Sequence, residues 1–553
     1  MSSKPNIILV ITDDLGYEDV GYNGSTLVNT PHLDKMAEEG VAMNRFYVAP
    51  VCSPTRAGLL TGRYHYRTGV TNVGSCGDRI KGSETTIADV LSVAGYATAI
   101  YGKWHLGDNY PMRPMDKGFQ EAIVHGGCCL KREHYFDPVL SFNGEDTQFY
   151  GYCMDVYTDL TLNFAKRNAE AGKPFFTYLA TNTPHVPLVV GEEYSSRFKK
   201  MGIDEKVAIY LGMVENIDYN MGRIFEGLKD LGIDDNTLVI FLSDHGRENP
   251  DVKNYDKRDQ FLRGKKADVY EGGIKSPCVF RWPGKLSPNR RVDALTCYVD
   301  MMPTLLAAAE TPEPQDLNLD GIDIMPMLQE KVKEREGNII IQWHQGLVPQ
   351  LNRSFTVMGQ KYKLAQAEGG FHKTGKFLGG QYNYELFDIE NDPFEQHDIA
   401  AEHPERVAEM RKEYEDWFWE VIRELGPDPE LSTVGTPHEN PVKITSVYVD
   451  QYQDKEPFHL TGEYPTRIAQ DGIYHVKVFF REPLKKGAEV QFVFNEIDAR
   501  HTTNEGAEFF DFGKLEIAAG EDWMYASATN PGESERILSS FIEIEWLNEN
   551  PGY

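Results

Sequence analysis

The chain has 553 residues, 56 of them basic and 85 acidic, for a formal charge of −29. That balance argues against a nucleic-acid binder, and 41% hydrophobic with 25% charged residues excludes wholesale disorder. No run approaches ~18 consecutive apolar residues, which excludes a membrane-spanning helix. At ~150 residues per domain the length suggests roughly three to four units, large enough to bury cores without disulfides. An anionic substrate would need a local basic island in this acidic body.

Met1-Ser2-Ser3-Lys4-Pro5 leads straight into a strand with no signal-peptide pattern, as expected of a cytoplasmic protein or of one whose leader has been removed. Residues 6–12 are a continuous apolar run, and 96–101, 175–180 and 237–242 repeat it. Short runs without alternation suit strands buried on both faces. Helical patterns lie between them at 31–39, 84–94, 155–171, 204–231 and 298–309. The alternation predicts an α/β domain over 1–325 with its sheet covered on both sides. A Pro- and Asp-rich stretch at 312–323 marks a boundary. Residues 326–430 then give short strands, among them 338–343 and 361–365, and a long helix from about 403. A second Pro-rich linker covers 426–442. From 443 to 553, segments such as Tyr474-His475-Val476-Lys477-Val478 alternate apolar and polar residues, predicting a β-sandwich-like domain.

The seven cysteines (52, 76, 128, 129, 153, 278 and 297) form no C-x-x-C pair, so neither a zinc ribbon nor a thioredoxin-like motif is present. Cys128 and Cys129 are adjacent, with Cα atoms ~3.8 Å apart, closer than ordinary disulfides allow. Most of the thiols read as free and buried.

Chemistry gathers at three places. Asp13-Asp14 follows the first strand, and Ser243-Asp244-His245-Gly246 follows the strand 237–242. Ligands bind at the carboxyl ends of strands in such sheets. Three carboxylates and an imidazole suit Ca²⁺ or Mg²⁺, with Mn²⁺ or Zn²⁺ open through the histidine. The third place is Cys52-Ser53-Pro54-Thr55-Arg56, running to Leu60-Thr61-Gly62-Arg63. Ser53 is expected to cap a short helix, Pro54 to open it and Gly62 to end it. Cys52 would sit at the helix's positive end, which favours anions, with Arg56 one turn in.

C-x-P-x-R followed by Leu-Thr-Gly-Arg resembles the signature of the type I sulfatases, whose cysteine is oxidised to formylglycine by a maturing enzyme. Further segments are similar to that family as far as about residue 425: Gly102-Lys103-Trp104-His105, Thr183-Pro184-His185, Gly264-Lys265-Lys266 through Glu271-Gly272-Gly273, and Tyr384 through Pro393. The resemblance implies an alkaline-phosphatase-like α/β/α sandwich with a small α+β subdomain. It also implies a formylglycine at Cys52 whose geminal diol attacks sulfur, one hydroxyl forming a covalent sulfo-enzyme and the other expelling sulfate. The roles implied are metal ligation by Asp13, Asp14, Asp244, His245 and the modified Cys52 around one Ca²⁺, with Mg²⁺ or Mn²⁺ as alternatives. Arg56 and Lys103 would fix the diol, and His105 would act as base. His185 and Lys266 lie on the leaving-group side, with His185 the expected acid. One departure stands out: the family usually has Asp-Asn-Gly where this chain has Asp244-His245-Gly246. That keeps a formylglycine phosphonate or phosphodiester hydrolase as the second reading and leaves open whether His245 meets metal or substrate. A non-catalytic glycan binder is the third.

The motifs do not identify the sugar. Residues 125–154, with His125, Arg132 and His134, mix cations and aromatics as a sugar-sulfate rim would. Trp343, His344 and Arg353 are further rim candidates, and Phe371-His372-Lys373 a weaker one. The appended β domain reads as a structural cap or a glycan-binding module. The expectation is a sulfatase for a sulfated poly- or oligosaccharide, periplasmic or secreted like its relatives, with the cytoplasm as the other location.

Overall fold

The computed structural model describes residues 4–74, 76–248, 250–369, 382–426, 428–445, 463–504 and 506–547. The segment Phe371-His372-Lys373 lies outside the described residues. The chain packs as two units. The first comprises 1–73, 84–105 and 117–426, and the second 74–83, 106–116 and 427–553.

The first unit is built on a sheet running Arg290–Val292, Val41–Met43, Cys278–Arg281, Thr237–Ser243, Asn6–Thr12, Phe175–Ala180, Ala97–Lys103, Glu121–His125, Val139–Phe142, Glu145–Gln148. The five strands from Thr237–Ser243 to Glu121–His125 are mutually parallel. Four of these five are the apolar runs of the sequence, and in those four every residue is buried. Two-sided burial explains their lack of alternation. Helices Pro31–Glu39, Cys153–Glu170 and Glu205–Asp230 bury apolar stripes against the sheet and one another. The same unit holds an antiparallel sheet in the order Ile339–Gln342, Phe355–Met358, Tyr362–Gln366, Glu385–Asp388, with the helix Pro404–Val421 packed on it.

Parallel strands put their carboxyl ends on one side. Asp13, Asp244, Lys103 and His125 therefore emerge together, along with the loop 181–187 that follows Phe175–Ala180.

In the second unit the strands Glu463–Ile468, Gly472–Leu484, Glu489–Phe494, Gly520–Thr529 and Ile537–Leu547 enclose one apolar core. Tyr474, Val476, Val478 and Phe480 alternate inward, as their period-2 pattern requires. This unit also takes in Gly74–Ser83 and Leu106–Asp116. The amide of Thr433 donates to the carbonyl of Tyr110 at 3.0 Å, and the rings of Tyr110 and His438 stack at 4.4 Å. Sequence periodicity does not foresee this exchange of segments, because neither carries a helix or strand pattern.

Candidate active site

Cys52 is the first residue of the helix Cys52–Thr61, every residue of which is buried. The helix begins two residues earlier than expected. Val51, not Ser53, is the capping residue, and Pro54 occupies the third helical position, where its missing N–H costs nothing. Gly62 ends the helix at φ 69.

Three carboxylates meet at the strand ends, and each is matched by a buried cation. Lys103 Nζ lies 2.6 Å from Asp13 Oδ2, Arg56 Nη2 lies 2.8 Å from Asp244 Oδ2, and Lys266 Nζ lies 2.9 Å from Asp14 Oδ1. Arg56 Nε also reaches Asp244 Oδ2, at 3.2 Å, and its Nη1 donates to the Lys103 carbonyl at 3.2 Å. The guanidinium therefore leaves Asp244 Oδ1 facing His245 Nε2 at 3.3 Å. Burial alone would raise the Asp13 carboxyl, but Lys103, His185 and Arg56 reverse this and hold it well below its ordinary range. Burial prevails at the other two, pushing Asp14 up to about 7 and Asp244 up to about 6.

Single ligand atoms of Asp13, Cys52, Asp244 and His245 all lie within 4.8 Å of one another, and Asp13, Asp14 and His185 form an overlapping group. Asp13 Oδ1 and His245 Nε2 are buried without a hydrogen-bond partner among the described residues. Such orphaned groups are costly unless something coordinates them. The residues present therefore fit a divalent cation. Asp14 (φ 68) and His105 (φ 58) adopt left-handed backbone, which persists where surrounding contacts enforce it.

The lysine loop is stitched to both neighbours. Lys266 N donates to Arg247 O at 3.1 Å, Ala267 N to Pro50 O at 2.8 Å, and Gly246 N to Gly273 O at 2.9 Å. A Cβ on Gly246 would stand 1.8 Å from the Gly272 carbonyl, so only glycine allows this approach. His105 Nδ1 faces Cys52 Sγ at 3.3 Å, while its Nε2 faces the Val73 carbonyl at 3.1 Å. A carbonyl can only accept, so Nε2 carries the proton and Nδ1 presents a lone pair to residue 52. His185 Nδ1 likewise donates to the Val186 carbonyl at 2.6 Å, and its Nε2 lies 3.6 Å from Asp14 Oδ2.

Of the rim candidates, His125 is buried at the strand end, in register with Lys103. Burial, then Lys103, lowers it to about 3. Arg132 is exposed and donates to the Leu188 carbonyl at 3.3 Å, and His134 is half-buried on the same turn. Two expectations need correction. Trp343 has no exposed surface and packs with Val51 and Ala267, the neighbours of Cys52 and Lys266, so it is a wall and cannot stack on a sugar. His344 is also buried, and its Nε2 accepts from Gln350 N at 2.9 Å within its own turn. Arg353 is half-buried and donates to Gln350 Oε1 at 2.8 Å. One residue went unforeseen: Glu248, whose Oε2 lies 3.4 Å from Lys266 Nζ. Burial raises its carboxyl, but Lys266 and His185 outweigh that and hold it below its ordinary value.

A family model described as Sulfatase matches residues 5–311, and one described as N-sulphoglucosamine sulphohydrolase, C-terminal matches 262–422. The chain belongs to the sulfatase family. The N-acetylgalactosamine-6-sulfatase of Canis lupus familiaris is 33% identical to this sulfatase over 360 residues, 59% of this chain and 66% of that protein. The chain thus spans about two thirds of the length of that curated relative. The crystal structure of Ps i-CgsB in complex with k-i-k-neocarrahexaose is similar at a TM-score of 0.68 and 29% identity, covering 77% of this chain and 95% of that one. A Bacteroides thetaiotaomicron structure concerned with the metabolism of multiple glycosaminoglycans gives 0.62 and 25%, covering 75% and 99%. The family generally uses a formylglycine and a metal, in keeping with the buried cluster around Cys52. Among the described residues no helix is long and apolar enough to cross a membrane.

Proposed function

We propose that this sulfatase hydrolyses sulfate esters of a sulfated poly- or oligosaccharide, with Cys52 matured to formylglycine by a dedicated enzyme. The observation that carries the reading is Cys52 at a helix N-terminus inside the buried set Asp13, Asp244 and His245. Asp13, Asp14, Asp244 and His245 would hold one Ca²⁺, with Mg²⁺ and Mn²⁺ compared in reconstitution. The ion would neutralise sulfate oxygens and the formylglycine would supply two geminal hydroxyls, one to attack and one to release.

The chain's own groups do the rest. Arg56 and Lys103 anchor two carboxylates and present positive charge to the sulfate oxygens. His105 Nδ1, fixed as an acceptor, takes a proton at residue 52. On the leaving-group side burial, then Lys266, lowers His185 to about 4. Burial opposes the charge on Lys266, but Asp14 and Glu248 hold its pKa well above the ordinary value. On this reading Lys266 carries the resting proton and His185 relays or orients it, as an alternative to His185 itself acting as the acid. Periplasmic or secreted placement rests on the relatives and is tested by fractionation of the native host.

The test is ion release from sulfated algal and animal oligosaccharides by protein coexpressed with a maturing enzyme, with Cys52→Ala as the blank and conversion checked by peptide mass. Sulfate release that disappears in the blank supports the reading. Phosphate release from matched aryl phosphodiesters without sulfate release would replace it with the phosphodiester-hydrolase reading.

A further inference from the structure

A cavity of about 300 Å³ is lined by Lys265, the residue before Lys266. Its walls continue three site segments: Gly16–Glu18 beyond Asp14, Arg247 and Glu248 beyond His245, and Lys265 immediately before Lys266. Asp251, Lys253 and Leu262 also line it. Most of the charges around it are already committed. Arg247 pairs with Asp19, Glu18 lies 3.6 Å from Arg258, and Glu248 pairs with Lys266. The Asp251 carboxylate accepts the Lys253 amide at 3.0 Å. Two cations remain. Lys253 is exposed, its ammonium 5.7 Å from the centre of the Phe261 ring, and Lys265 is half-buried. Among the described residues neither has a carboxylate within ion-pair distance.

We propose that this cavity is a second anion subsite, which takes another sulfate group of the same carbohydrate on the leaving-group side. The inference rests on the sulfatase reading and deepens it: the preferred substrate is multiply sulfated. In a chain with 85 acidic and 56 basic residues, a cavity whose other charges are paired and which keeps two ammonium groups against the single carboxylate of Asp251 carries a local excess of positive charge. Lys265 and Lys266 are consecutive, so one holds the ester being cleaved while the other reads the next anionic group. Glu18 and Asp251 supply acceptors for sugar hydroxyls between them. The aromatic ring of Tyr17 adds an apolar wall.

The experiment uses the mature holoenzyme turning over an aryl monosulfate. Mono- and disulfated members of a chondroitin-type and a carrageenan-type disaccharide pair are added as competitive inhibitors. Each pair shares its backbone, so only the second sulfate differs. The disulfated member should bind roughly tenfold tighter or more in at least one pair, as hydrogen bonds to a charged group imply. Lys253→Ala and Lys265→Ala should each erase most of that ratio, and Lys265→Arg should keep it. Because the reading is a ratio, altered turnover in a variant does not obscure it. Equal inhibition constants in both pairs, or a ratio unchanged in both alanine variants, would overturn the subsite. Failure of the wild-type enzyme to release sulfate from any ester would instead remove the sulfatase reading on which it rests.

Discussion

Lys363 sits in the strand Tyr362–Gln366 with no exposed surface, 3.0 Å from Glu271 Oε1 and 2.7 Å from Glu395 Oε1. Glu271 also accepts from Tyr47 at 3.0 Å, and its amide donates to Glu395 Oε2 at 2.8 Å. It opens the helix Glu271–Ile274, which closes the loop that carries Lys266. Lys363→Met would leave two buried carboxylates facing each other. Breaking a buried ion pair by removing one partner costs about 3–5 kcal/mol. With ~2.1 cal/mol/K of unfolding entropy per residue, a body of several hundred residues shifts by about 1 °C per kcal/mol, so the transition should fall roughly 3–6 °C. The pH dependence has a definite sign. Burial already pushes Glu395 up to about 7, while Lys363 and Lys275 outweigh burial at Glu271 and hold it below its ordinary value. Without Lys363 both carboxyls rise. A raised carboxyl binds its proton more tightly in the folded state, so its stabilising contribution is present at low pH and lost as pH climbs through the folded value. The deficit against wild type should be small near pH 5 and full at pH 8. Scanning calorimetry at one fixed rate across that range reads it, and adding Glu271→Gln and Glu395→Gln should recover most of the loss. A deficit below about 1 kcal/mol at pH 8, or one equal at both ends of the range, would refute the reasoning.

Lys266→Ala should slow sugar-sulfate hydrolysis by about 10²–10⁴-fold, the usual worth of a general acid, but slow a nitrophenyl sulfate far less, since that leaving group needs no proton. Equal losses on both would remove Lys266 from proton donation. Calcium affinity of Cys52→Ala protein, read by titration calorimetry, should rise between pH 5.5 and 7.5. Protons compete at Asp14 and Asp244, which burial raises to about 7 and about 6; a flat profile would place the ion elsewhere. Trp343→Ala should cost about 3–5 kcal/mol as a large-to-small core change, with kcat falling more than KM rises because Val51 and Ala267 lose their wall. A variant with wild-type melting and turnover would contradict that packing.

What could be read in advance follows from where the information lies along the chain. Asp13, Lys103 and Asp244 sit at the ends of continuous apolar runs, and a parallel sheet converts such endings into one shared edge without knowledge of any contact. The small sheet and the C-terminal layers were legible for the same reason: their period is local. The Cys52 helix was legible in place but not in its cap, since Ser53 is a good cap by type while Val51 takes that place and Ser53 Oγ has no partner among the described residues. Trp343 shows a different limit. An aromatic residue after a strand reads alike whether it faces a sugar or packs inward. Its inward turn depends on Val51 and Ala267, which are distant in sequence.

Glu248 and Lys265 mark the deeper limit. Neither belongs to a periodic pattern, and a charged residue in a polar loop carries no local mark of its partner. Their meaning comes from Gly246, whose missing side chain lets the Gly272 carbonyl approach and so folds the loop after Asp244-His245 against the segment bearing Lys266. That approach gives Lys266 a second carboxylate in Glu248 and leaves Lys265 on the adjoining cavity without one among the described residues. The groups that surround residue 52, Asp13, Lys103, Asp244 and Arg56, therefore sit on strand ends and a helix start, where sequence patterns reach them. The groups we assign to choosing the ester sit on loops whose geometry only the fold determines.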